Sequence, residues 1–163
     1  MFIDAQAALW FLPFCVPVAI WVAWSDMASM KIPNKAVLTM AAIWAVVGLL
    51  AFPLPQYGWG WAVLGIVLAV GFILSALGLV GAGDAKFAAA MAPVFSTGDW
   101  RAILALFCAC LLGAFATHRI ARAIPAIRRT TPDWTSWNHK DFPMGLALAG
   151  TLIFYLLAPF LAN

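Results

Sequence analysis

Long uncharged stretches alternate with short charged segments along this chain of 163 residues, and the pattern predicts membrane-spanning helices. A helix needs about 20 apolar residues to cross a hydrocarbon core of about 30 Å. The stretches 5–25 and 142–161 have that length, and 102–117 comes close to it. The stretch 36–83 is too long for one helix, and Pro53-Leu54-Pro55-Gln56-Tyr57-Gly58 predicts a break between helices at 36–52 and 59–80. The first stretch has no basic residue before it and exceeds the apolar part of a signal peptide, about 7–15 residues, so we expect a retained span.

The fourth apolar segment, 87–98, is the doubtful one. It contains only twelve uncharged residues and includes Pro93. At about 1.5 Å per residue, a helix of this length falls short of the hydrocarbon core. It crosses only if Asp84 and Lys86 lie at or inside the membrane boundary, and a re-entrant segment is the alternative.

The distribution of basic residues favours a crossing. With six spans and the N-terminus outside, eight of the nine basic residues fall in cytoplasmic loops: Lys31, Lys35, Lys86, Arg119, Arg122, Arg128, Arg129 and Lys140. Arg101 alone lies outside, as the positive-inside rule requires, whereas a re-entrant fourth segment would expose the last five of them. We therefore expect an all-α polytopic membrane protein with about six transmembrane helices in a single domain, 1–163, and with Met1 and Asn163 outside.

Composition agrees with this fold class. Apolar residues make up 66% of the chain and charged residues 9%, against about 45–50% and about 25% in soluble domains. The net charge of +3 does not indicate nucleic acid binding, because the basic residues lie in loops instead of along one helix face. The loop 119–141, with Trp134 and Trp137 among its charges, is compatible with contact to anionic lipid, although the topology rule alone explains its charge.

Two of the six aspartates are candidates for chemistry, and the chain has no glutamate. Asp26 directly follows the first predicted helix and Asp84 lies between the third and fourth, so both are expected at the cytoplasmic face. A carboxylate at membrane depth costs several kcal/mol to desolvate, so a carboxylate found there is first interpreted as a functional residue. Two adjacent carboxyls can share one proton, so that one activates a water and the other protonates a carbonyl. The ordinary alternatives are a helix cap for Asp84 and an interfacial loop position for Asp26.

The surrounding residues refine this hypothesis. Gly81 and Gly83 remove side chains beside Asp84, which would allow an extended substrate strand to approach.

His118 and His139 are the only histidines and lack a ligand cluster at metal spacing, so we expect no metal site and no cofactor. The remaining loop carboxylates are expected to lie outside the site; they are Asp99, Asp133 and Asp141.

Three sequence elements, in this order, resemble the prepilin peptidases, the leader peptidases of type IV prepilins. They are Asp26 with Lys31-Ile32-Pro33-Asn34, then Gly81-Ala82-Gly83-Asp84-Ala85-Lys86, and then Phe142-Pro143-Met144-Gly145. The resemblance extends over nearly the whole chain in span number and motif order, and it is closest to the short forms that serve tight-adherence (Flp-type) pili. It implies a Gly-x-Gly-Asp type of intramembrane aspartyl protease in the bacterial inner membrane.

The resemblance also implies roles for individual residues. Asp26 and Asp84 match the two catalytic aspartates of the family. The residues that match its substrate-binding or site-shaping positions are Pro33, Asn34, Gly81, Gly83, Lys86, Pro143 and Gly145. The implied partner is a prepilin that is cut on the cytoplasmic side, after a glycine that ends a short basic leader, in front of an apolar helix. Membrane lipids surround the enzyme, and the oligomeric state stays open.

The chain departs from the longer members of this family, which have an extended cytoplasmic loop with paired cysteines and also N-methylate their product. Here the first loop has about ten residues and no cysteine, so we expect proteolysis without methyl transfer. Presenilin-like and signal-peptide peptidases share Gly-x-Gly-Asp, but their Tyr-Asp and Pro-Ala-Leu elements are missing here. The alternative of another class is a non-catalytic polytopic subunit of a pilus-assembly or secretion system. A small transporter is less favoured, because no convincing internal repeat is found.

The predicted topology can be tested by cysteine labelling in a cysteine-free background. A cysteine at Arg128 should react with a membrane-impermeant reagent only after cell lysis, because the eight-to-one skew of basic residues puts this loop in the cytoplasm. A cysteine at Arg101 is the matched control and should react in intact cells. Labelling at position 128 from the periplasm of intact cells would contradict the six-span arrangement.

Overall fold

The fold is entirely helical over the part of the chain that the structure, a computed structural model, describes: residues 2–161. The helices are α1 Ala5–Ser29, α2 Asn34–Ala51, α3 Leu54–Ala76, α4 Ala82–Met91, α5 Trp100–Ala123, α6 Pro125–Thr130 and α7 Met144–Leu161. Within α2, Trp44–Gly48 is π-helical, and two short 3₁₀ turns, Ala92–Phe95 and Thr135–Trp137, complete the description. The predicted all-α membrane fold is confirmed. The expectation that Met1 and Asn163 face outside concerns residues that lie outside the described range.

Within residues 2–161, five helices are long and apolar enough to cross a membrane: α1, α2, α3, α5 and α7. The sixth segment is α4 with the 3₁₀ turn that follows it, and it packs against α3 and α2. Phe95, the last residue of this turn, contacts Tyr155, with ring centroids 4.6 Å apart, and Tyr155 contacts Phe2 at 5.6 Å. This short segment therefore returns the chain to the end of the bundle where α1 begins, in agreement with about six spans.

The helix boundaries differ from the predicted ones where charged residues or proline extend a helix. α1 continues four residues past the predicted end at Ser25, and α5 continues six residues past Thr117. Neither extension contains a proline, and in α5 the basic Arg122 is favourable in the last turn of the helix. α3 begins at Leu54, inside the predicted break, because proline is tolerated in the first turn, where its missing N–H is not needed.

The centre of the bundle is formed by α1 and α7, which pack against each other along their length. Small side chains dominate their buried surfaces, including Ala8, Ala19, Ala147 and Ala149. Helices in a membrane approach closely through small residues because lipid provides no hydrophobic drive for helix association. By contrast, α3 buries only Gly60 and exposes its other faces, as expected for a peripheral helix in contact with lipid.

An aromatic cluster joins α2 to α1 and α3. Trp44 is fully buried and stacks on Phe11 and Tyr57, with ring centroids 5.9 and 5.8 Å apart. Its indole lies between two glycines, since a Cβ at Gly48 would be 2.9 Å from Trp44 Cδ2 and a Cβ at Gly60 would be 2.7 Å from Trp44 Cε2. The two helices approach this closely because neither glycine has a side chain.

We expect Gly60→Val to destabilise the protein by about 1–3 kcal/mol, because the added side chain must displace the Trp44 indole in a packed cluster. Thermal unfolding in detergent measures the effect. The matched control is Gly58→Ala on the same helix, where a Cβ meets nothing within 4 Å. Alanine is the better helix former by about 1 kcal/mol, so this control should be neutral or stabilising. An unchanged midpoint for Gly60→Val would show that the Trp44 cluster does not hold α2 against α3.

Candidate active site at the loop ends of α1, α4 and α7

Asp26 lies inside α1, in its last turn, and the expectation that it directly follows the helix was wrong. The helix ends only at Met30, which adopts the left-handed conformation with φ 54° and donates its N–H to the carbonyl of Asp26 at 2.8 Å. Because the helix continues, the Asp26 side chain points into the bundle and is only 5% exposed.

Gly145 provides the partner that this buried carboxylate needs. Its backbone N–H donates to Asp26 Oδ2 at 2.7 Å, across 119 residues of sequence. Gly145 lies in the first turn of α7, where backbone N–H groups have no partner within the helix and attract negative charge. A Cβ at Gly145 would be 2.8 Å from the Cβ of Asp26, so only glycine permits this approach.

Asp84 lies in the first turn of α4, three residues after the cap residue Gly81. The Asp84 side chain turns back over Gly81, where a Cβ would collide with Asp84 Oδ2. Gly83 has a different neighbour, since a Cβ there would lie 3.4 Å from the Cβ of Ile32. The sequence suggested that both glycines leave room for a substrate strand. In the folded chain, Asp84 fills part of the space beside Gly81, and both glycines line the smaller of two clefts at this end of the bundle.

The carboxylates of Asp26 and Asp84 line the same two adjoining clefts. Burial, and secondly the negative charge of Asp26, raise the pKa of the Asp84 carboxyl to about 6, while a hydrogen bond from its own backbone N–H opposes the shift. An ordinary aspartate has a pKa of about 3.9. In weakly acidic solution Asp84 therefore keeps a proton that an exposed aspartate has already lost, and the pair can contain one protonated carboxyl.

The larger cleft, of about 510 Å³, is here called the acidic cleft. Besides the two aspartates it is lined by His139 and Asp141, from the loop before α7. His139 Nδ1 lies 3.6 Å from Asp141 Oδ2 and accepts the backbone N–H of Asp141 at 3.2 Å. The expectation that Asp141 lies outside the site was wrong, because Gly145 brings the residues just before α7 to the Asp26 carboxylate. The sequence signal that could have placed His139 and Asp141 at the site is that both lie within three residues of Phe142, where the Phe142-Pro143-Met144-Gly145 element begins.

The smaller cleft, of about 300 Å³, is here called the lysine cleft and is lined by Lys31, Asn34 and Lys86 on the far side of the aspartates. Lys86 is exposed and its Nζ donates to Asn34 Oδ1 at 3.5 Å, which is a long hydrogen bond. The expected site residues Asn34 and Lys86 therefore lie close together at the mouth of the cleft.

Pro33 and Pro143 do not line either cleft. Each directly precedes the first residue of a helix, Asn34 of α2 and Met144 of α7. Their fixed backbone angles favour an extended entry into the helix, so they set where these two helices begin.

No group of three or more histidine, cysteine, aspartate or glutamate side chains that could hold a metal ion occurs within residues 2–161. Within the described residues, the site therefore offers the neighbouring carboxyls of Asp26 and Asp84, a third carboxyl from Asp141, and no metal-ligand cluster. This combination is suited to acid–base chemistry, in which one carboxyl accepts a proton and the other donates one.

Comparison with known protein families shows which family the chain is related to. The model of the type IV leader peptidase family matches residues 13–118, nearly two thirds of the chain. This match includes Asp26 and Asp84 but ends before Phe142-Pro143-Met144-Gly145. No curated protein and no solved structure matches the chain. With its membrane-spanning helices and the extent of this match, the chain belongs to the type IV leader peptidase family.

Proposed function

We propose that this protein is an intramembrane aspartyl endopeptidase that removes the leader from type IV prepilins of the Flp type, with Asp26 and Asp84 as its acid–base pair. Membership of the leader peptidase family supports a peptidase that acts on prepilins. The observation that carries the catalytic assignment is that two carboxyls, from α1 and α4, line one cleft, in which burial and the charge of Asp26 raise the pKa of Asp84.

The chemistry follows from the proton shared by the pair. An ionised carboxylate takes a proton from a water molecule, which then attacks the carbonyl carbon of the scissile peptide bond. The protonated carboxyl donates to the carbonyl oxygen, so that negative charge does not build up there. The carbon–nitrogen bond of the resulting intermediate then breaks as the carboxyl that took the water proton passes it to the leaving amine, while a hydroxyl of the intermediate returns a proton to the other carboxylate. The hydrogen bond from Gly145 fixes the position of Asp26 during these steps, because it restrains one carboxylate oxygen and leaves the other free.

Charge along the two clefts suggests how a substrate lies. The acidic cleft adds Asp141 to the catalytic pair, whereas the lysine cleft carries Lys31 and Lys86. A basic leader is attracted to the acidic cleft and repelled from the lysine cleft. In this arrangement the leader contacts Asp141 and the scissile bond lies between Asp26 and Asp84. The apolar helix of the precursor then continues into the membrane.

Cleavage takes place on the cytoplasmic side in this proposal. The first, third and fifth loops, which carry most of the basic residues, all contribute residues to the acidic cleft. Because the positive-inside rule assigns such loops to the cytoplasm, the site opens there. The loop between α1 and α2 spans only residues 30–33, shorter than expected, and contains no cysteine, which supports proteolysis without methyl transfer.

A non-catalytic subunit of a pilus-assembly or secretion system is the competing function. It requires Asp84 to act only as part of the start of α4, where its carboxylate does accept its own backbone N–H. This role does not explain why a second carboxylate, buried and held by Gly145, lines the same cleft.

We expect Asp26→Asn and Asp84→Asn each to reduce leader removal by at least about 100-fold, because an amide neither takes nor gives the required proton. The double variant should be no worse than either single one, since the two carboxyls act as a unit. Purified enzyme with a synthetic prepilin, followed by mass spectrometry, measures cleavage. Asp99→Asn and Asp133→Asn are matched controls that should retain activity. Asp141→Asn should mainly raise KM.

The accumulation of folded protein must be measured alongside these rates. If Asp84→Asn cleaves at the wild-type rate, the aspartyl mechanism is wrong. If both single variants fail to accumulate in the membrane, the structural role of Asp84 and Asp26 is favoured.

We expect Gly145→Ala to lower kcat by about tenfold or more, because its Cβ must displace the Asp26 carboxylate, and small shifts of a catalytic group are costly. Gly150→Ala on the same helix is the control, since a Cβ there makes an ordinary contact, 3.7 Å from Cys110 Sγ. Its rate should stay within about twofold of the wild type. Unchanged kcat for Gly145→Ala would mean that this glycine does not position Asp26.

A further inference from the structure

A third cleft, of about 420 Å³, lies in the segment between α5 and α7 and shares no lining residue with the acidic or lysine clefts. Three arginines line it: Arg122 from the last turn of α5, and Arg128 and Arg129 from α6. The remaining lining residues are Ala123, Pro125, Pro132 and Trp137, so the cleft contains no carboxylate. It is here called the arginine cleft.

The wall of this cleft is held in place by hydrogen bonds and stacked rings. Trp137 is 2% exposed and donates its indole N–H to the carbonyl of Thr131 at 2.9 Å. Thr131 Oγ1 donates in turn to the carbonyl of Ile127 at 2.9 Å, which ties the segment to α6. Trp137 also stacks on His118 of α5, with ring centroids 5.5 Å apart. The wall against which the arginines lie is therefore an ordered part of the fold.

The positive charge of the cleft is not balanced by the chain itself. Across residues 2–161, none of the three arginines that line it has a carboxylate within ion-pair distance. The nearby Arg119 differs, because its guanidinium lies over the Phe115 ring, 5.0 Å from the centroid. Three like charges around one cavity repel one another unless an anion lies between them. A guanidinium group can donate two parallel hydrogen bonds to two oxygens of one phosphate, so phosphate is the anion that suits this cleft.

We propose that the arginine cleft binds the phosphate headgroup of an anionic phospholipid. The cleft begins at the end of α5, a helix long and apolar enough to cross a membrane, so it lies at the level of headgroups. Ile120 and Ile124 are exposed beside it, at 62% and 39%, and offer an apolar surface on which acyl chains can lie. A free phosphate ion has no apolar part that could contact that surface. This inference rests on charge and membrane position and does not depend on the proposed peptidase activity.

The test is lipid binding to the purified full-length protein in neutral detergent, followed by native mass spectrometry. Phosphatidylglycerol is the anionic probe, phosphatidylcholine the zwitterionic one and inorganic phosphate the free ion. Wild-type protein should retain phosphatidylglycerol in preference to phosphatidylcholine. The triple variant Arg122→Gln, Arg128→Gln, Arg129→Gln should bind phosphatidylglycerol about tenfold more weakly or worse. The charge-matched control Lys31→Gln, Lys35→Gln, Arg101→Gln removes three positive charges elsewhere and should bind as the wild type does.

A second variant separates a shaped site from general attraction and also covers the case in which the first one fails to fold. Replacement of the three arginines by lysine keeps the charge but removes the paired donors, so phosphatidylglycerol binding should weaken by several-fold. Equal losses in the cleft variant and in the charge-matched control would overturn the proposal, as would equal affinity for the two lipids. Full competition by millimolar inorganic phosphate would overturn the assignment to lipid. Unchanged binding in the lysine variant would overturn the paired contact.

Discussion

The hydrogen bond from the Gly145 N–H to the Asp26 carboxylate links the two central helices at the end where the candidate site lies. A carboxylate buried among apolar helices costs several kcal/mol unless it finds a donor, and the free N–H groups at the start of α7 supply one. Because Gly145 is tied to α1, the loop before α7 must end beside Asp26. This is why His139 and Asp141 line the acidic cleft. The position of a single charge thus fixes where the loop before α7 ends.

The rest of the bundle shows how a small chain is held together when lipid replaces water. The buried surfaces of α1, α4 and α7 are rich in alanine, which lets backbones approach within van der Waals distance. Large side chains pack where a glycine leaves room, as Trp44 does between Gly48 and Gly60, or against other rings, as Tyr155 does against Phe95. Many other large apolar side chains, including Phe72 on α3 and Leu112 on α5, are directed outward at 72% and 70% exposure, towards the hydrocarbon.

Charge is separated at the loop end of the bundle. The acidic cleft contains three carboxylates and the arginine cleft three guanidiniums, and no residue lines both. In a low dielectric such groups would pair and neutralise each other if they met, and a paired aspartate would lose the raised pKa that a shared proton requires. The segment between α5 and α7 keeps the two sets of charges apart. Its Trp137, held by a hydrogen bond to Thr131, lines the cleft that contains the arginines.

The sequence alone determined the helical membrane fold, because apolar runs of about 20 residues are a direct consequence of bilayer thickness. It also singled out Asp26 and Asp84, since carboxylates are rare and costly in such a chain. The resemblance to prepilin peptidases that these residues carry agrees with the family match. It did not reveal that α1 runs through Asp26, because the uncharged stretch ends at Ser25 although nothing breaks the helix before Met30. Nor did it give the reasons for the glycines. Gly81 makes room for the Asp84 carboxylate, and Gly145 makes room for Asp26, which lies 119 positions away in the sequence. Tertiary structure decided these points and the place of Asp141, because only packing determines which distant backbone meets a buried charge.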